Sequence, residues 1–201
     1  LSKDTYIAAA SGLNFETNSN MQWMNAAETY FLLAEAKLRL SIGSGTVQSY
    51  YEQGIRTSFS STGATGVDAY IADATNLPLA SYTNPVTNAS TNISSSLSRL
   101  PIAWVESATT EVKLERIMIQ KWIALYPDGQ EAWSEMRRTG YPGFVRINSY
   151  GYQTEVASNE LISRLKFPTT EYSNNTQNTQ AAVSLLGGTD AAGTKLWWDV
   201  R

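Results

Sequence analysis

KWIALYPDGQEAWSEMRRTGYP, Lys121 to Pro142, decides how this chain folds. It crowds two tryptophans, three acids, an arginine pair and two prolines into one short stretch. That invites three readings: a catalytic constellation, a sugar-binding surface, or the seam between two packed helices. Periodicity favours the third. Upstream, Val112, Leu114, Met118, Ile119, Trp122, Ile123, Leu125 and Tyr126 leave only a narrow polar stripe at Lys113, Arg116 and Gln120, so a helix buried on most sides is expected. Pro127-Asp128-Gly129 ends it, and QEAWSEMRRTG begins a partner helix with Asp128 as the N-cap.

The charges of the stretch fit packing better than catalysis. On a helix Glu131 and Glu135 share a face, and Glu135 also reaches Arg138 three residues on. Glycosidase carboxylates face each other across a cleft, roughly 5–9.5 Å apart. Two acids four residues apart project the same way, and adjacent arginines favour the ionised form over the proton a general acid needs. Structural salt bridges are expected of Glu131, Glu135, Arg137 and Arg138. Trp122 and Trp133 have mostly apolar or small neighbours three and four residues away, the pattern of core residues.

A similar unit lies earlier. NAAETYFLLAEAKLRLS places Ala27, Tyr30, Phe31, Ala34 and Leu38 on one helical face, with Asn25 as N-cap and Glu28 as its capping-box partner. Glu35 and Arg39 form an expected exposed pair worth about 0.3–0.5 kcal/mol. SIGSGT breaks the helix, and a second runs from about Thr46 to Ser60 with Val47, Tyr50, Tyr51, Gly54, Ile55 and Phe59 inward. Gly54 costs that helix roughly 1 kcal/mol relative to alanine, which close approach of the neighbouring helix would offset. Two helix pairs, about 25–60 and 109–140, make tetratricopeptide-like units in an all-α chain with long irregular loops. Between them lies a polar insert, 61–107, with a short helix near Val67 to Ala74 followed by TNLPLASYTNPVTNASTNISSSLSRLP, which reads as loop. The tail, 141–201, reads as irregular. In it RLKFP is an extended segment, TEYSNNTQNTQAAVSLLGG a loop entering a helix near Asn178 to Leu186, and TKLWWDVR an aromatic end.

Composition narrows the chemistry. The 201 residues suit a single domain, and only 16% are charged, with Ser, Thr, Asn and Gln making up the difference. Net charge is −3 without a basic block, which argues against a nucleic-acid partner. There is no cysteine and no histidine, so thiolate nucleophiles, disulfides, the commonest general base and the usual zinc ligands are absent. Carboxylate chemistry or a calcium site survives, but Asp68, Asp73, Asp190 and Asp199 are scattered without EF-hand spacing, and neither a metal nor a cofactor is expected. No apolar run approaches the roughly 20 residues of a membrane span. The opening LSKDTYIAAASGLNFETNSN lacks signal-peptide features and reads as continuing from something upstream.

The insert is the best place for recognition. Tyr70, Tyr82 and Trp104 sit in or beside a segment holding Asn84, Asn88, Asn92 and many hydroxyls. Aromatic platforms among neutral polar groups suit an uncharged sugar, which needs shape, stacking and hydrogen bonds. Tyr70, Tyr82, Trp104, Asn84 and Asn88 are therefore the candidate ligand-binding residues, against the alternative of a packed surface loop. Tyr141, Tyr150 and Tyr152 make a weaker case of the same kind. Of the adjacent Trp197 and Trp198, one is expected to pack and one to be exposed.

AETYFLLAEAKLR (27–39), YYEQGIRTSF (50–59), ERIMIQKWIALYPDGQEAWSEMRRTGYP (115–142), RLKFPTTEYSNN (164–175) and GGTDAAGTKLWWD (187–199), in this order, resemble the C-terminal half of SusD/RagB-family outer-membrane lipoproteins. The third block is the most specific. The resemblance implies a helical, SusD-like body and a place on the bacterial cell surface, held by a lipid anchor outside this chain. It also implies a non-enzymatic role, capturing an oligosaccharide or polysaccharide (in some members a peptide) for a SusC-like TonB-dependent transporter. The N-terminal half and the lipidation cysteine of that family have no counterpart here, and no ligand contact carries over residue by residue. The alternatives are a helical scaffold docking on the transporter without glycan binding of its own, and a carboxylate glycosidase.

Overall fold

The computed structural model describes residues 24–77, 81–83, 90–92, 98–143, 155–156 and 162–199. These contain helices α1 (Ala26–Leu40), α2 (Val47–Thr62), α3 (Val67–Ile71), α4 (Thr110–Ala124), α5 (Gly129–Thr139), α6 (Thr169–Asn174) and α7 (Thr176–Ser184). One short antiparallel pair, β1 (Ser81–Thr83) and β2 (Ser90–Asn92), interrupts the helices. The chain divides into two compact units, Leu1–Ala132 and Trp133–Arg201.

In the first unit α1 and α2 form the expected hairpin, and α4 packs on both. Ser41, left-handed at φ 58°, caps α1, its N–H donating to Lys37 O at 3.1 Å; Gly43, at φ +99°, completes the reversal. Thr46 and Ser49 then make a reciprocal capping box that starts α2. The core is Ala27, Phe31, Ala34, Tyr51, Ile55, Leu114, Ile117 and Met118. Gly54 is where the hairpin closes: a Cβ there would stand 2.7–3.0 Å from the Phe31 ring, so the helices meet at a distance only glycine allows. Phe31 in turn lies edge-on to Tyr51 at 6.4 Å.

Four expectations change. Asn25 is the N-cap, its side chain accepting from Ala27 N at 2.9 Å, but Glu28 is no capping-box partner. Its carboxylate reaches 3.2 Å to Lys121 of α4, whose side chain is only 1% exposed. The amide of Asn25 completes the tie, donating to Ala124 O at the end of α4, 2.8 Å away. Second, Glu35 of the pair with Arg39 (3.6 Å) is buried rather than exposed. Third, the polar stripe of α4 faces inward: Arg116 and Gln120 are buried, while Ile123 and Tyr126, expected inside, are exposed. Trp122 and Trp133 are half-buried, not core.

Asp128 caps α5 as expected, accepting from Glu131 N at 3.1 Å. Within the second unit Glu135 and Arg138 form the expected pair at 2.7 Å, whereas Arg137 lies over Trp133 at 4.4 Å and donates to Ser163 O. The tail is more helical than its sequence suggests. TTEYSN, read as loop, is α6, begun by Pro168, whose ring fixes the backbone entering the first turn; α7 begins at Thr176 rather than near Asn178. Buried Asp190 organises this unit. It accepts from Arg164, from Tyr172 Oη at 2.8 Å and from Phe167 N. Burial pushes its carboxyl upward, but Arg164 and Tyr172 outweigh that and hold it below the ordinary value. Of the terminal tryptophans, Trp197 is 91% exposed and Trp198 lies 5.8 Å from the Arg137 guanidinium.

Candidate functional site

The insert leaves the helical layer at α3 and returns before α4, and its two ends are stapled together. Ala103 N donates to Asp73 O at 2.8 Å. Around the entry, the Asp73 carboxylate accepts from Asn76 N (2.9 Å) and Thr75 N (3.0 Å), a tight Asx turn. Those bonds, the Asn76 amide foremost, hold its carboxyl at about 2.

The returning end is gripped along its backbone. Arg116 of α4 donates to Pro101 O at 2.7 Å and also to Ala103 O. Between them the Tyr51 hydroxyl donates to Ile102 O at 2.7 Å. Three consecutive carbonyls are thus satisfied by two side chains from two helices. On either side, Ser98 donates to Glu115, and Lys113 bonds Glu106 at 2.9 Å. Burial pushes the Tyr51 hydroxyl's pKa well up and that of Arg116 down.

Tyr70 and Trp104 belong to this anchor. Tyr70 donates its hydroxyl to Gln120 Oε1 at 3.0 Å, and its ring lies 5.1 Å from that of Phe59. Burial raises its pKa, against the Gln120 bond. Trp104 packs on Tyr51, centroids 5.2 Å apart, and its indole N–H donates to Glu106 Oε2 at 2.6 Å. That bond first, and Lys113 second, hold the Glu106 carboxyl below its usual value. Both rings are half-buried.

Beyond the anchor stands the strand pair, with Tyr82 opposite Thr91, Ser81 opposite Asn92 and Thr83 opposite Ser90. The sequence reading made this a loop. Three residues a side, polar on both faces, carry no alternation to betray a strand. Asn84 and Asn88 lie outside the described residues, as do Tyr150 and Tyr152. Tyr141 belongs to the second unit, where its backbone N–H bonds the Thr139 hydroxyl at 3.1 Å.

The structure therefore sets Tyr70 and Trp104 beside the polar rail of α4 formed by Lys113, Arg116 and Gln120, and places Tyr82 in the strand pair. The anchor's carboxylates are committed: Asp73 to a turn, Glu106 to Trp104 and Lys113, Glu115 to Ser98. Depressed values at Asp73 and Glu106 leave them ionised near neutrality, poor general acids. Among the described residues no group of three or more acidic side chains could hold a metal ion, and no helix is long and apolar enough to cross a membrane. Tyr51, Ser98, Glu115, Arg116 and Gln120 were not singled out as site residues from sequence. Their signal was the spacing of Lys113, Arg116 and Gln120: a polar stripe on an otherwise apolar helix demands a polar segment to cover it.

Residues 1–199 match the family described as SusD-like: Susd and RagB outer membrane lipoprotein. A chitin-binding SusD homologue from Flavobacterium johnsoniae is 42% identical, with a TM-score of 0.77, over 89% of this chain and 36% of its own. A SusD homologue from Bacteroides uniformis is 41% identical, with a TM-score of 0.83, over 94% of this chain and 39% of its own. One from Bacteroides thetaiotaomicron is 34% identical, with a TM-score of 0.81, over 93% and 40%. The chain thus spans well under half the length of these relatives. No curated protein matches it.

Proposed function

The chain belongs to the SusD/RagB family of outer-membrane lipoproteins, and on that premise we propose that it binds an uncharged glycan at the bacterial cell surface for uptake. It does so as a non-enzymatic partner of a SusC-like TonB-dependent transporter. The observation that carries this is the 42% identity to a chitin-binding homologue across nearly the whole chain. The insert adds support from this chain's own residues: neutral Ser, Thr and Asn beside Tyr82 along the strand pair, and a returning end held to the helices by buried hydrogen bonds.

In this reading Tyr82, Asn84 and Asn88 meet the sugar, while Tyr70 and Trp104 hold the platform and Trp104 offers its uncovered edge. Stacking and hydrogen bonding without charge give the moderate affinity that lets a captured glycan move on to a channel. Isothermal titration with chitohexaose, and with maltohexaose and xylohexaose for comparison, tests the proposal. Tyr82→Ala should weaken the binding by about tenfold, the loss of one stacked ring. Heat from no glycan, alongside tight association with the transporter, would favour the scaffold instead. Heat that continues after saturation, with sugar released, would favour a glycosidase.

A further inference from the structure

The rail on α4 has a consequence beyond holding a loop. Arg116 is 4% exposed, its Nη1 bonded to the carbonyls of Pro101 and Ala103, and its Nε has no hydrogen-bond partner among the described residues. A buried guanidinium spent on backbone carbonyls is a costly way to stabilise a surface segment, because part of its hydrogen-bonding capacity stays unused. What the arrangement supplies is position. One nitrogen, Nη1, holds the two carbonyls on either side of Ile102, whose own carbonyl Tyr51 takes at 2.7 Å. Ala103 in turn carries the staple to Asp73, and Trp104 follows directly. Moving Arg116 would therefore move Trp104 and both ends of the segment that bears the strand pair.

We infer that Arg116 is the positioning residue of the ligand site: it never touches ligand, and sets the affinity by fixing where Trp104 stands. Tyr51 assists it at the middle carbonyl. This rests on the glycan reading above. An ensemble in which the segment occupies its place only a fraction of the time binds with an apparent Kd raised by the inverse of that fraction.

Arg116→Lys keeps the charge but ends one bond short of the point where Nη1 meets both carbonyls. Tyr51→Phe removes only the bond to Ile102 O and leaves the ring against Trp104, so it tests the same clamp should Arg116→Lys fold poorly. Arg164→Lys, on the buried pair of the second unit, is the control for general destabilisation. Two readouts apply at a temperature well below melting. Hydrogen exchange without glycan should quicken about tenfold across residues 98–106 in Arg116→Lys, less in Tyr51→Phe and not in Arg164→Lys. Titration with chitohexaose should show Kd raised about fivefold or more in Arg116→Lys and about twofold in Tyr51→Phe, with Arg164→Lys unchanged. Unchanged exchange in both clamp variants overturns the inference. So does faster exchange with unchanged affinity, which would make the clamp merely structural. If wild type binds no chitohexaose, the glycan reading fails on that probe, and the exchange result alone decides whether Arg116 positions the segment.

Discussion

Gly54 and Asp190 show how far single residues govern each unit. Helix propensity says that Gly54→Ala should stabilise α2 by roughly 1 kcal/mol. Contact says otherwise, since the new methyl would meet the Phe31 ring at 2.7–3.0 Å. Overpacking of that kind costs about 1–3 kcal/mol, so a net loss of stability is expected in thermal unfolding followed by circular dichroism. A gain would show that Phe31 can turn aside. Asp190 acts through charge. Its folded carboxyl is held below the ordinary value, so its contribution is present at pH values above the unfolded pKa, about 4, and is lost as pH falls through the folded one. Asp190→Asn should therefore destabilise by about 3 kcal/mol near neutrality, with the difference from wild type shrinking below about pH 4. A difference that does not change with pH would place the stabilisation in shape rather than charge. The closeness at Gly54 was legible, because glycine inside an apolar helical face needs a reason. Asp190 was not: its partners Arg164, Phe167 and Tyr172 lie 18 to 26 residues away along the chain, and no local period joins them.

At the scale of elements, what the sequence hid was polar burial. Hydrophobic spacing places α1, α2 and α4 and the turn at Asp128, because apolar periodicity reports the face a helix buries. It also treats charged positions as solvated. Lys121 and Arg116 break that rule, each buried against a partner on another element: Glu28 on α1, and the returning end of the insert. Glu28 shows the same failure from the other side, since three residues past an N-cap it read as a capping box when it serves an interhelical pair. The Glu28–Lys121 pair ties the first turn of α1 to the last turn of α4. Glu28→Gln and Lys121→Met should each cost about 3 kcal/mol, and the double variant should recover part of the sum, because neither charge is then left buried alone. Additive losses in denaturant titrations would deny the coupling. The polar character of the insert was legible from composition alone. Its strand pair and its clamp by Arg116 of α4 were not, because three-residue polar strands and backbone carbonyls leave no pattern in a sequence.

For the whole molecule, the five sequence blocks and the SusD-like match agree, and the helical body is the one they imply. The chain contains the helix pair, the α4 rail and the anchored insert, within 36–40% of the length of its solved relatives. Binding of a neutral glycan by this assembly is the proposal on which the rest depends. Calorimetric titration of the folded chain with chitohexaose, beside maltohexaose and xylohexaose, tests it most directly. Saturable heat is expected with at least one of these, weakened about tenfold by Tyr82→Ala. Absence of heat with all three, from a chain whose circular dichroism shows native helix content, would contradict it.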